Sequence, residues 1–168
     1  MPGAREIQKS LKEKLSVYFG EVETEWSISR DATDAFRRRI NFYKPRLDIA
    51  VGPFNVESGA PADLESYFRQ NAPNRLKNRL VGLQTNNNPR CVLAIEVVCS
   101  GSSKHILGDT TNASLMGLYG LVVTNTQLLG RTRRIHRYLE TARAVGKAPS
   151  ELFRNVAVIS YEKLDQLL

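Results

Sequence analysis

Apolar residues recur at Ile7, Leu11, Leu15 and Tyr18 among Lys and Glu over residues 4–19, and Gly20 follows. That spacing predicts an amphipathic first helix with a glycine stop. The period then falls to two. Val22, Thr24, Trp26 and Ile28 alternate through "EVETEWSIS", as in a half-covered strand, until "RDATDAF" breaks the pattern. In "RRRINFYKPRLDIAVGPFNV" one or two strands are interrupted near Pro45. Beyond it, Leu47, Ile49 and Val51 share one side and Arg46, Asp48 and Ala50 the other, so Asp48 faces away from the apolar row.

Residues 56–89 read as a polar insertion, with a Pro-initiated helix near 62–70 and an Asn-rich turn at its end. The run 91–99 is a central strand, 100–103 a turn, and a helix is expected over 104–118. That helix is rich in Gly, Ala, Ser, Thr and Asn, which are poor helix formers, so packing on a sheet must hold it. A strand follows at 121–124. Leu128, Ile135, Leu139 and Ala142 then line one face of a longer helix, and "NVAVISYEKLDQLL" ends the chain as strand and short helix. Strands alternating with helices in this order predict a single α/β domain over 1–168, a mixed sheet with helices packed on it.

At 168 residues the chain can bury a sizeable core without disulfides. Cys91 and Cys99 lack metal-ligand spacing and read as reduced thiols of the strand. Charge adds a functional constraint: 24 Lys and Arg against 17 Asp and Glu give a net +7, which favours a polyanionic partner, nucleic acid first. No run is long and apolar enough for a bilayer, and the first residues lack a signal-peptide core, so the expected location is cytoplasmic.

One residue disturbs this picture. Glu96 stands inside the apolar run "CVLAIEVVCS", where an unpaired carboxylate costs several kcal/mol. An ion pair with Arg46 or Arg90 would satisfy it. Alternatively, if the strands of Asp48 and Glu96 are neighbours, the two acids need a cation between them, and Mg²⁺ or Mn²⁺ suits an oxygen site of one or two carboxylates. In a basic protein such a site points to metal-assisted phosphodiester hydrolysis.

With "YKPRLDIAVG" and "VLAIEVVCSGSSKH" in the order αβββαβ, followed by a further helix and strand, the chain resembles the PD-(D/E)XK superfamily of restriction-endonuclease-like nucleases. The resemblance implies that Asp48 and Glu96 hold the divalent metal and that a lysine two residues after the second acid assists catalysis. Here that position is Val98, and Lys104 at the start of the next helix is the candidate replacement. Glu6 or Glu13 of the first helix is a further candidate ligand. Arg37, Arg38, Arg39, Arg46, Ser103, His105, Arg131, Arg133, Arg134 and Arg137 are candidate nucleic-acid contacts.

The expected function is that of a metal-dependent DNA endonuclease, for which a homodimer would match a palindromic site. A catalytically silent nuclease-like domain that binds nucleic acid or a protein is the alternative, and a structural subunit of a nucleoprotein assembly is a third reading.

Overall fold

A computed structural model describes residues 3–28, 45–55 and 61–168. The elements are α1 (Ala4–Leu15), β1 (Val22–Ser27), β2 (Arg46–Val51), α2 (Pro61–Asn71), α3 (Asn74–Leu80), β3 (Cys91–Val98), α4 (Ser103–Met116), β4 (Gly117–Thr124), α5 (Thr126–Ala144), β5 (Val156–Ser160) and α6 (Tyr161–Asp165). The five strands form one mixed sheet in the order β1-β2-β3-β4-β5. The pairs β1–β2 and β2–β3 are antiparallel; β3–β4 and β4–β5 are parallel and are joined through α4 and α5.

Helices cover both faces, so every residue of β3 and β4 is buried. On one face Ile7, Leu11 and Leu15 of α1 pack with Ile49, Ile95, Val97, Leu121 and Ile159. On the other, Ile106 and Ala113 of α4 pack with Val98, Val122 and Val158. The stretch expected as a polar insertion adds to the first of these cores. Leu64 and Phe68 of α2 and Leu76 and Leu80 of α3 are all buried there.

The weak helix formers of α4 are compensated by tertiary contacts, as its composition requires. At its C-terminal end a buried network fastens it to the start of β5. Ser114 Oγ meets Asn155 Oδ1 at 3.0 Å, and the Asn155 amide donates to Ser114 O and Gly117 O, each at 3.0 Å. Against the sheet, Gly120 lets the helix come close: a Cβ there would lie 2.7 Å from the Ala113 carbonyl oxygen. The strand after α4 is also longer than expected. It starts at Gly117, inside the stretch expected as helix, where a Cβ would run into the Tyr119 oxygen and lie 2.8 Å from the Ala94 nitrogen, so this glycine marks a close backbone approach.

Candidate active site between β2, β3 and α4

Asp48 and Glu96 do come to neighbouring strands. The β2–β3 register runs Val51↔Leu93, Ala50↔Ala94, Ile49↔Ile95 and stops. One step further Asp48 faces Glu96, and side chains replace the backbone ladder. The Val97 N–H donates to Asp48 Oδ2 at 2.7 Å, and the Asp48 N–H approaches Glu96 Oε2 at 3.4 Å. The strands part here because each carboxylate takes up an N–H that the sheet leaves unpaired.

The other side of Asp48 is irregular as well. The β1–β2 register passes from Thr24↔Ile49 to Trp26↔Leu47 over Glu25, whose φ is 53°. A left-handed backbone costs a non-glycine residue about 1–2 kcal/mol, so its surroundings must hold it there. Its carboxylate receives the Arg46 guanidinium, Nε to Oε2 2.8 Å. Arg46 therefore pairs with Glu25, and Glu96 has no ion-pair partner among the described residues.

Above the opening lies α4. His105, Asp109 and Asn112, spaced to share one helix face, line the same cavity of about 570 Å³ as Arg46, Asp48 and Glu96, with Ser100 and Gly101 of the turn at its edge. A second cavity of equal volume between α2, α3 and Tyr119 offers different chemistry, since its carboxylate, Glu65, is paired with Arg69. Chemistry, not size, singles out the first.

Ser102 caps α4, and its N–H donates to His105 Nδ1 at 3.3 Å. The donor is obligate, so the neutral ring carries its proton on Nε2.

Electrostatics sets this cavity apart. Glu96 is 3% exposed. Burial first, then the charges of Asp48 and Asp109, push its carboxyl up to about 9, against the opposing pull of Asn112 and the Asp48 N–H. Asp109 is raised to about 6, by burial first and then by Asp48, while His105 pulls it down. Asp48 is raised too, chiefly by burial, against the Val97 N–H. At neutral pH the Asp48–Glu96 pair therefore keeps a proton. Glu96 Oε1 is buried without a hydrogen-bond partner among the described residues.

Three crowded acids, an orphaned buried oxygen and the Asn112 amide make an all-oxygen donor set, which suits a hard divalent cation such as Mg²⁺ or Mn²⁺. Among the described residues no three His, Cys, Asp or Glu side chains already stand together at metal-ligand spacing. Asp48 and Glu96 could hold such an ion only with its remaining positions filled from outside the protein.

The other expected residues are dispersed. Lys104 is exposed on α4 and does not line the cavity. Val98 is buried beside Ile106 and Val122, an apolar setting. Glu6 accepts the Gly3 N–H as part of the α1 cap, and neither it nor Glu13 lines the cavity; the third acid comes from α4. Arg131 binds Ser103 Oγ at 3.1 Å and Gly101 O at 3.4 Å, bracing the turn after β3. Arg133, Arg134 and Arg137 are exposed on α5. Arg37, Arg38 and Arg39 lie outside the described residues. Cys91 and Cys99 are free thiols, Cys91 buried as expected and Cys99 half-buried. No helix among the described residues is long and apolar enough to cross a membrane.

The fold and the site together define an α/β protein with an acidic cleft where two antiparallel strands of a mixed sheet part. No family model, curated protein or solved structure matches this chain.

Proposed function

We propose that this protein is a metal-dependent nuclease that hydrolyses phosphodiester bonds, DNA foremost, and that its sheet is of the restriction-endonuclease-like kind. The observation that carries the reading is the parting of β2 and β3 at Asp48 and Glu96, which leaves a buried carboxylate oxygen unpartnered at the floor of an open cavity. An unsatisfied buried acceptor among acids of perturbed protonation, set in a cleft, is the mark of a candidate binding site.

Asp48 and Glu96 would hold Mg²⁺ or Mn²⁺, with Asp109 and Asn112 facing it from α4. When bound, the cation supplies positive charge to the scissile phosphate and eases deprotonation of the attacking water. The chain's own part begins with proton balance: Glu96 must give up its proton as the cation enters, so loading is easier at higher pH. Among the described residues Arg46 is the guanidinium at the cavity, and its planar fork matches two oxygens of a phosphate once it leaves Glu25. It would supply the positive charge that Val98 does not. His105, with its proton on Nε2, can donate to a phosphate oxygen or to the leaving oxygen.

A second reading is a domain that binds nucleic acid without cutting it, and the apolar burial of Val98 favours it. One assay separates the two. Supercoiled plasmid, single-stranded DNA and RNA are incubated with Mg²⁺, Mn²⁺ or EDTA, using wild type, Asp48→Ala and Glu96→Ala. The nuclease reading expects metal-dependent cutting that both substitutions abolish while binding persists. Salt-sensitive binding with no cleavage under any condition would hand the site to the silent domain.

A further inference from the structure

A second surface adjoins the acid cleft. Between α1 and the β1–β2 pair runs a groove of about 460 Å³, and Arg46 lines both it and the cleft. Arg5, Gln8, Lys9 and Lys12 of α1 form one wall, beside the buried stripe of Ile7, Leu11 and Leu15. Among the described residues Arg5, Lys9 and Lys12 have no carboxylate partner, whereas Lys14 on the same helix is paired with Asp165. Among the described residues four cations thus face one carboxylate, Glu25, which Arg46 already engages. Such uncompensated charge in a concave surface concentrates polyanions.

We propose that this groove is the track for the sugar–phosphate backbone on one side of the acid cleft. Arg5 to Lys12 extends along about 10 Å of helix, the axial length of about three base steps. Arg46 stands at the junction, so a strand lying in the groove passes directly from the α1 cations to the carboxylates. Among the described residues no side chain of the groove is aromatic, which suits phosphates. The assignment rests on the nucleic-acid reading of the cleft and gives that reading a direction.

The test is a salt titration of binding in EDTA, where nothing is cut. The ligands are a fluorescent duplex DNA and single-stranded DNA and RNA of the same sequence. Lys9→Gln/Lys12→Gln is compared with wild type and with Arg133→Gln/Arg137→Gln on α5, an equal loss of charge. Glutamine keeps the helix, and circular dichroism checks it.

The expected result is roughly tenfold weaker binding for the α1 pair on at least one ligand, with a slope of log affinity against log salt shallower by about two. The α5 pair should change less. If the α5 pair carries the loss and the α1 pair binds as wild type, the groove is wrong while nucleic-acid binding stands. If wild type binds none of the three ligands, the reading beneath it fails, and the groove with it.

Discussion

Asp48 and Glu96 oppose each other where the β2–β3 ladder ends, and the Asp48 carboxylate accepts from Val97 N–H, the residue next to its partner acid, at 2.7 Å. Each acid thus holds apart the strands that bury it. The arrangement ties the protonation of the site to the stability of the sheet.

Stability of the metal-free protein should fall as pH rises. Glu96 is raised from 4.5 to about 9 and Asp109 from 3.8 to about 6, so between the unfolded and folded values the folded state binds more protons. Unfolding free energy therefore declines across that window, by on the order of a few kcal/mol, and levels off above the folded value of Glu96. Urea denaturation at acid, neutral and alkaline pH checks this. Glu96→Gln should flatten most of the slope, and a curve rising with pH in the wild type would contradict the assignment.

Cation binding should show the opposite trend. Because a proton leaves Glu96 on loading, Mg²⁺ or Mn²⁺ affinity is expected to increase from pH 6 to pH 9, the values to which Asp109 and Glu96 are raised. Calorimetry in two buffers of different ionisation enthalpy counts the protons released. Asp109→Asn should weaken the cation roughly tenfold, as loss of a supporting carboxylate does elsewhere. Affinity independent of pH would place the ion away from Glu96.

Arg46, not Lys104, is the cation expected to matter for rate. Arg46→Ala should lower turnover by roughly a hundredfold, the scale of losing one donor to developing charge. Lys104→Ala should cut at nearly the wild-type rate, since the lysine lies outside the cavity. Single-turnover kinetics on one substrate compares them, and the reverse ranking would restore the lysine to the site.

Gly120→Ala probes the seating of α4. The new methyl would meet the Ala113 carbonyl at 2.7 Å, and relieving that contact means lifting the helix that carries Asp109 and Asn112. A loss of about 1–3 kcal/mol in urea unfolding is expected, with weaker cation binding in whatever remains folded. Wild-type stability would show that the helix has room to spare.

Glu96 was legible in the sequence because a charge in an apolar strand is costly and therefore conspicuous, whereas Asp48, facing away from its apolar row, was singled out only as its possible neighbour and by the resemblance. Asp109 carried no such mark. In "SKHILGDTTNASLM" an aspartate on a weakly amphipathic helix looks like ordinary surface, and only the seating of α4 over β3 turns residues 105, 109 and 112 toward the acids. Lys104 is one residue, about 100° of helix, away from that face. The segment 56–89 looked polar by composition. Its apolar Leu64, Phe68, Leu76 and Leu80 become core once the sheet offers a surface to cover.

Element types, the +7 charge and the acid pair were matters of local pattern, because periods of two and near four are set by neighbours along the chain. What meets what was not local. The end of the β2–β3 ladder, the left-handed Glu25 that takes Arg46, and the helix that supplies a third acid all depend on strand order and register between residues far apart in sequence. Only burial of the whole sheet gives those contacts enough free energy to outweigh the local preferences they override.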